Sequence, residues 1–284
     1  MINRSRLGVM QGRLSAPINE EIQAFPISVW QKELAVCEKL GLGCLEWVYE
    51  YPTVADNPLN TRNGAAHLAK LLARHRVRVN SVVADYFMIK KLFGVSMSEV
   101  NNALKVFEQL IDNCAIAKIP LLELPFVDRS ALRNERDRKK IVENLAPIIR
   151  KTAKSGVRIS LETSLEPKIF RDLIDAFKPV EVFANYDMGN SAALGYDPTE
   201  EITLLGNSIA NVHIKDRVYN GKTVPLGEGD TDFPRVFREL NRIGYRGDYI
   251  LQAARQDLSS DYREPDCRKT ISSYIEFILH YLTY

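Results

Sequence analysis

The sequence predicts an α/β protein in which eight parallel strands close into a barrel, the (β/α)8 or TIM-barrel architecture. Eight short apolar runs alternate with eight segments of helical periodicity along 284 residues, and strict alternation of this kind predicts a parallel sheet. Eight such units in a chain of this length predict closure into a barrel. The apolar runs also lack regular polar alternation, as expected for strands buried on both faces.

No low-complexity segment or linker divides the sequence, so a single domain is expected over residues 1–284. The composition, 45% hydrophobic and 26% charged, is typical of a globular protein with a sizeable core. A doubly wound open sheet is the alternative fold. It is disfavoured because no Gly-x-Gly-x-x-Gly follows the first apolar run, where Gly12 stands alone.

The predicted strands are short and rich in valine, isoleucine and leucine. The first begins almost at the start of the chain, the third is a valine-rich run, and several end at a carboxylate, an imidazole or an amide. In chain order they cover residues 7–10, 44–47, 77–84, 121–125, 158–162, 182–187, 209–215 and 248–252.

The predicted helices are identified by apolar spacing and by their end signals. Ser28 and Gly41 bracket the first, Ser96 and Glu99 form a capping-box pattern at the start of the third, and Gly156 ends the fourth. In chain order they cover residues 27–40, 61–75, 96–117, 134–155, 167–177, 198–205, 232–243 and 265–282.

Charge and cysteine content limit the classes of partner and the cellular compartment that the sequence suggests. The net charge is +2 with both signs interspersed, so no basic stripe indicates nucleic acid. The four cysteines form no Cys-x-x-Cys pair, which favours reduced thiols in a cytoplasmic protein. No signal peptide or membrane-spanning run is expected. The apolar stretch 275–282 suits closure of the core or a homodimer interface, and closure is the simpler interpretation.

Polar side chains follow the predicted strands at the edge where TIM-barrel active sites lie. Charged groups are costly to bury unless they are paired or bind a metal ion, so packing alone does not explain them. In strand order these residues are Gln11, Arg13, Glu46, Trp47, Asp85, Tyr86, Glu123, Glu162, Asp187, His213, Lys215, Asp216, Gln252 and Arg255.

Four of these residues suggest a metal site. They end the fifth to eighth strands, and neighbouring strands are about 4.8 Å apart, so their side chains can converge. One imidazole, two carboxylates and an amide oxygen suit Mn, Mg, Zn or Co. The four are Glu162, Asp187, His213 and Gln252. In the alternative interpretation, the two carboxylates pair with Lys215 or Arg217, and His213 is a core residue.

Several motifs resemble one family. They are Leu161-Glu162-Thr163, Asp187-Met188-Gly189-Asn190, Val212-His213-Ile214-Lys215-Asp216, Pro225-Leu226-Gly227-Glu228-Gly229 with Asp232-Phe233, and the opening Gly8-Val9-Met10-Gln11-Gly12-Arg13-Leu14. In this order they resemble the xylose isomerase-like TIM barrel superfamily, which includes sugar phosphate isomerases and epimerases, inosose dehydratase and endonuclease IV. The resemblance spans essentially the whole chain.

The resemblance implies one divalent metal ion held by Glu162, Asp187, His213 and Gln252. Two positions depart from the family pattern. Gln252 stands where the epimerases usually have a glutamate that also moves a proton, and Asn190 stands where they often have a substrate-contacting histidine. An amide can bind a metal through oxygen or accept a hydrogen bond, but it cannot act as an acid or base.

The implied activity is isomerisation or epimerisation of a ketose, sugar phosphate or related polyol through an enediolate, with Glu162 as the base. Epimerisation needs a second acid or base, for which Glu46, Asp85 and Glu123 are candidates. The residues expected to bind the carbohydrate are Arg13, Glu46, Trp47, Asp85, Glu123, Asn190, Lys215, Arg217 and Arg255.

Other functions stay open at this point. An inosose-type dehydratase would need one base and a general acid. A non-catalytic sugar- or metal-binding barrel is favoured by the two amides at positions 190 and 252. A phosphodiesterase like endonuclease IV is disfavoured, because that chemistry needs several histidines and a basic surface, and the chain has four histidines and a net charge of +2.

Overall fold

The structure, a computed structural model, describes residues 4–18, 21, 23–255 and 264–282. Eight parallel strands form a closed barrel, which confirms the predicted fold class. The barrel strands are β1 Leu7–Met10, β2 Cys44–Val48, β3 Arg78–Val83, β4 Leu121–Phe126, β5 Arg158–Thr163, β6 Phe183–Asp187, β7 Ile209–Ile214 and β10 Asp248–Leu251, in the order β1-β10-β7-β6-β5-β4-β3-β2. Two short strands, β8 Asp216–Arg217 and β9 Thr223–Val224, pair antiparallel outside the barrel.

The helices follow the strands, as the sequence pattern predicts. They are α1 Trp30–Lys39, α2 Arg62–Leu72, α3 Tyr86–Ile89, α4 Met97–Ala117, α5 Glu135–Thr152, α6 Pro167–Ala176, α7 Met188–Leu194, α8 Pro198–Leu205, α9 Phe233–Arg242 and α10 Glu264–Leu282. The Ser96–Glu99 capping box is present at the start of α4. A short 3-10 turn, Ala153–Ser155, follows α5, and Gly156 ends it with φ 79°.

The strict eight-by-eight alternation is wrong in three places. A helix, α7, begins immediately after β6, the short helix α3 follows Asp85, and the β8–β9 hairpin interrupts the loop after β7. These elements have only seven, four and two residues per element, respectively. Segments this short do not show a readable periodicity, so the sequence pattern could not reveal them.

The residue contacts group the chain into two compact units. The first unit comprises Met1–Glu46, His75–Arg78 and Asn185–Tyr284, and the second comprises Trp47–Arg74 and Val79–Ala184. The prediction of one domain stays a prediction.

The strand register in the first unit aligns the polar strand ends. Gly8 of β1 pairs with Ile250 of β10, and Ile250 pairs with His213 of β7. On the other side of β1, Met10 pairs with Glu46 of β2. Gly8 is required here, because a Cβ at this position would lie 2.5 Å from the Cys44 sulfur.

At the amino ends of these strands, Arg6 contacts two aromatic rings and two backbone carbonyl groups. Its guanidinium carbon lies 5.4 Å and 5.3 Å from the ring centroids of Tyr245 and Tyr249. The same guanidinium donates to the backbone oxygens of Tyr245 and Gly247. Arg6 thus closes this end of the first unit with cation–π contacts and hydrogen bonds.

The C-terminal helix packs against α9 within the first unit. The Phe277 ring lies 5.2 Å from Phe233, and the Tyr281 ring stacks on Phe237 at 6.0 Å. Ile271, Ile275 and Ile278 are buried. This packing is the closure predicted for the apolar stretch 275–282. Among the described helices, none has the length and apolar character needed to cross a membrane.

Candidate active site

His213 is fully buried near the carboxyl end of β7, and both of its ring nitrogens have defined partners. Nε2 lies 2.7 Å from Glu46 Oε2, and Nδ1 lies 3.1 Å from Asn185 Nδ2. An ionised carboxylate only accepts, so Nε2 carries the proton, and Nδ1 accepts from the Asn185 amide. In this tautomer the Nδ1 lone pair accepts from the Asn185 amide, and a metal ion would bind Nδ1 in place of that hydrogen bond.

Glu46 fixes this histidine from the interior of the barrel. It has no solvent exposure, and its second oxygen accepts from Asn211 Nδ2 at 2.8 Å. A carboxylate that orients a histidine through its second nitrogen is a common arrangement behind metal ligands. Glu46 was expected to bind substrate or act as a second acid or base. That role stays a prediction, and in the structure the two oxygens of Glu46 contact His213 and Asn211.

Asp187 is the last residue of β6, and its side chain is 1% exposed. Oδ1 accepts from the backbone N–H of Asn190 at 2.8 Å and so caps α7. Oδ2 lies 3.3 Å from Lys215 Nζ. A ligand atom of Asp187 lies within 4.8 Å of one of His213, and both residues belong to a buried group of acidic and histidine side chains that could hold a metal ion.

Gln252, just after β10, shares the same ammonium group. Its Oε1 lies 3.3 Å from Lys215 Nζ, and its Nε2 lies 3.3 Å from Gln23 Oε1. The contact with Gln23 sets the amide so that its oxygen, rather than its nitrogen, faces Lys215. Lys215 therefore contacts both Asp187 and Gln252. Its pairing with Asp187 is the one that the sequence offered as an alternative to metal binding.

Arg217 and Asn190 contact each other at the start of the hairpin. Arg217 Nη1 donates to Asn190 Oδ1 at 2.8 Å, and Nη2 donates to the Gly221 carbonyl at 2.7 Å. Asn190 thus uses its oxygen to hold Arg217, where the family pattern has a histidine. Both residues are half-buried, Asn190 in α7 and Arg217 in β8.

Asp216 holds the glycine-rich loop that follows the hairpin. Its carboxylate accepts from the backbone N–H groups of Gly227, Gly229 and Thr231. A Cβ at position 229 would collide with this carboxylate, so the loop requires glycine there. Asp216 is a loop-fixing residue.

Two arginines predicted at the mouth hold the loop between β1 and α1. Arg13 is 3% exposed and donates from Nε to the Ala253 carbonyl at 3.1 Å. Arg255 donates to the backbone oxygens of Ser15 and Gly12. These contacts connect the loops after β1 and β10, so both arginines have partners within the chain.

The sequence did not single out Glu33, which anchors the same loop from α1. Its carboxylate accepts from the Gly12 N–H, the Leu14 N–H and the Ser15 hydroxyl. Burial raises the pKa of Glu33 to about 7, although these hydrogen bonds and Arg255 act in the opposite direction. A signal was available, because Glu33 lies on the apolar stripe of α1.

In the second unit, Glu123 on β4 and Glu162 on β5 are both buried, and Asp85 is partly exposed at the start of α3. Trp47 has no exposure, and its indole N–H donates to Asn57 Oδ1 at 3.0 Å. The role of Trp47 in binding the sugar stays a prediction; its ring lies in the core, and its indole N–H has a partner there.

One protein family matches most of the chain. Residues 15–271 match the family model described as xylose isomerase-like TIM barrel. L-ribulose-5-phosphate 3-epimerase UlaE of Salmonella heidelberg (strain SL476) is 24% identical over 238 residues, 78% of this chain and 81% of that protein. SgbU of Escherichia coli (strain K12) is 30% identical over 133 residues, but the match covers only 46% of its length.

Solved structures share the fold. The IOLI protein, whose crystal structure has a bound zinc atom, superposes with a TM-score of 0.77 and 15% identity over 97% of this chain and 99% of that one. D-psicose 3-epimerase of Clostridium cellulolyticum H10, solved with D-tagatose, gives a TM-score of 0.75 and 14% identity over 98% and 99%.

Proposed function

Because the chain belongs to the xylose isomerase-like TIM barrel family, we propose that it is a metal-dependent sugar isomerase or epimerase acting on a ketose phosphate. One observation carries the proposal. His213 is buried beside Asp187, and Glu46 accepts from its Nε2, so Nδ1, where Asn185 donates, is the nitrogen that an ion would bind. A buried, oriented imidazole beside a carboxylate fits a metal ligand set better than a packing role.

The proposed ligands of the ion are Glu162, Asp187, His213 and Gln252. Asp187 ends β6, and Leu161, which precedes Glu162, pairs with Ala184 of the same strand. Glu162 thus lies near the carboxyl end of β5, as Asp187 does in β6. Three oxygen donors and one imidazole suit Mn, Mg, Zn or Co. The Lys215 ammonium beside Asp187 and Gln252 supports the fit, since these oxygens already accept a cation.

The chain's own residues then account for proton transfer. The bound ion would polarise the substrate carbonyl as a Lewis acid. Glu162 removes the proton from the carbon next to that carbonyl, the step for which a positioned carboxylate is suited. Gln252 orients oxygen groups without moving a proton. Isomerisation on one face of the substrate needs only one base, whereas epimerisation needs a second one, for which Asp85 and Glu123 stay candidates.

The phosphate specificity is supported by a relative and by charge. The Salmonella relative is named for L-ribulose 5-phosphate. Lys215 and Arg217 follow β7, are only half-buried, and are positively charged. Lysine and arginine bind phosphate oxygens well. Lys215, Arg217 and Asn190 are therefore the proposed substrate contacts, while Arg13, Arg255, Glu46 and Trp47 already have structural partners.

The test is proton exchange followed by NMR in D2O. L-ribulose 5-phosphate and other ketose phosphates are incubated with the protein loaded with Mn²⁺, Co²⁺, Zn²⁺ or Mg²⁺. We expect deuterium at the carbon next to the carbonyl, an epimer or aldose as product, and loss of both with chelator. Glu162→Gln should abolish exchange and retain the ion. Glu166→Gln, an exposed carboxylate on the same loop, is the matched control.

The same experiment separates the alternatives. An inosose-type dehydratase would give an unsaturated or rearranged keto product without an epimer. A non-catalytic binding barrel, favoured by Gln252, would bind the ion and give no exchange on any substrate. Unchanged turnover in Glu162→Gln would contradict the role of Glu162 as base.

A further inference from the structure

Lys215 occupies an unusual position for a residue expected to bind substrate. Its ammonium lies 3.3 Å from Asp187 Oδ2 and 3.3 Å from Gln252 Oε1, two of the four oxygen and nitrogen donors proposed for the metal ion. The Lys215 side chain is 16% exposed, whereas that of Asp187 is 1% exposed. The Lys215 ammonium therefore contacts two of the oxygen atoms, those of Asp187 and Gln252, that are proposed to bind the metal ion.

The stem of Lys215 is guided to this position by Gly189. A Cβ at position 189 would lie 2.8 Å from both Cβ and Cγ of Lys215 and 2.9 Å from its backbone carbon. Real Cβ atoms do not approach so closely, so the absence of a side chain at Gly189 leaves the space through which the lysine stem passes. The glycine belongs to α7, which Asp187 itself caps.

Gln252 makes the arrangement possible by being neutral. The amide oxygen accepts from Lys215 without adding a second negative charge, and Gln23 holds it in that orientation. The donors of the first unit thus carry one negative charge, on Asp187, and the ammonium matches it with one positive charge. The ammonium thus offsets the Asp187 charge before any ion binds, and the charge of Glu162 is additional.

We infer that Lys215 is a displaceable internal cation, which occupies the Asp187 and Gln252 oxygens until a divalent ion replaces it. The inference rests on the proposed function. A divalent ion and an ammonium repel each other and cannot share these two oxygens. Ion binding therefore releases the ammonium, whose side chain is 16% exposed, to pair with the anionic group of a sugar phosphate. Metal and substrate binding are coupled in this way.

Mn²⁺ affinity, measured by titration calorimetry at fixed pH and ionic strength, tests the competition. Lys215→Met keeps the apolar stem and removes the charge. We expect it to bind Mn²⁺ roughly tenfold or more tightly than the unmodified protein, because no like charge has to be displaced. Lys222→Met removes an exposed charge seven residues away and should leave the affinity within about twofold. Lys215→Arg, which restores a cation, should return the affinity toward that of the unmodified protein.

Accessibility of the amine gives an independent measurement. Acetylation of Lys215, followed by mass spectrometry in brief labelling pulses, should increase severalfold when Mn²⁺ is added. Lys222 serves as the internal standard. Asp187→Ala should remove the dependence of Lys215 labelling on Mn²⁺.

The outcomes separate this inference from the proposed function. Equal or weaker Mn²⁺ binding by Lys215→Met, with normal binding by the unmodified protein, would overturn the displaceable cation and leave the metal site intact. Labelling of Lys215 that ignores Mn²⁺ would do the same. Failure of both proteins to bind Mn²⁺ would overturn the metal assignment and the inference together.

Discussion

Charged residues at the two ends of the strands in the first unit are held in different ways. At the amino ends, Arg6 lies against two tyrosine rings and donates to two backbone carbonyls of the chain. At the carboxyl ends, Lys215 faces Asp187 and Gln252 at 3.3 Å, a long separation for such contacts. The first arrangement stabilises the fold, and the second leaves side chains that an ion or a substrate can engage.

Arg6→Met tests whether the contacts at the amino ends of the strands stabilise the fold. The variant loses two cation–π contacts and the hydrogen bonds to the Tyr245 and Gly247 carbonyls. We expect the free energy of unfolding in urea to fall by about 2–4 kcal/mol. Mn²⁺ affinity of the folded protein should stay within about twofold. Arg4→Met, at an exposed position nearby, is the control. A large loss of Mn²⁺ affinity in Arg6→Met would erase the distinction between the two ends.

Glu46→Gln probes the interior of the carboxyl end. The amide can present its NH2 group to His213 Nε2, so the imidazole loses the acceptor that places its proton on Nε2. Loss of such an orienting carboxylate typically lowers metal affinity by about 10- to 100-fold. Calorimetric titration with Mn²⁺ measures it, and circular dichroism controls for folding. If Glu46→Gln bound Mn²⁺ as tightly as the unmodified protein, His213 would not be oriented through Glu46.

Glu201, on α8, should affect the pH dependence of stability. Burial raises the pKa of its carboxyl to about 8, and the nearby Asp187 carboxylate contributes in the same direction. The ordinary pKa, 4.5, applies to the unfolded chain. The native state therefore holds the proton more tightly, and its contribution is complete below pH 4.5 and is lost as pH rises toward 8.

Glu201→Gln should flatten that slope by up to about 1.4 kcal/mol per pH unit between pH 5 and 8. Glu200→Gln, at the exposed neighbouring position, should leave it unchanged. Urea denaturation at several pH values measures the difference. A slope that is the same in Glu201→Gln and the unmodified protein would show that Glu201 does not hold its proton in the native state.

The barrel and the ends of its strands could be predicted because both depend on local sequence. Buried strands produce apolar runs, and a parallel barrel brings their carboxyl ends to one edge. Asp187 and His213 could therefore be assigned to the ends of their strands from the sequence alone. The same reasoning identified the apolar stretch 275–282 as part of the core, which its contacts with α9 confirm.

The roles of the remaining residues could not be predicted, because distant parts of the chain determine them. Glu46 reaches His213 across 167 positions in sequence, and Arg255 reaches Ser15 across 240. Strand-end position shows that a side chain is near the edge, but not whether it points to the substrate, as expected for Glu46 and Trp47, or into the core, as found. Glu33 was missed because the groups that it binds, Gly12 and Ser15, lie 21 and 18 positions away in the sequence.

Metal content is the measurement that tests the central claim most directly. The protein is purified without chelator, and its bound metal is quantified by mass spectrometry beside Asp187→Ala, His213→Ala and the exposed control Asp230→Ala. The account predicts about one divalent ion per chain in the unmodified protein and the control, and none in the two site variants. Absence of any ion, even after incubation with Mn²⁺, Co²⁺, Zn²⁺ and Mg²⁺, would contradict it, and so would full retention of the ion in both site variants.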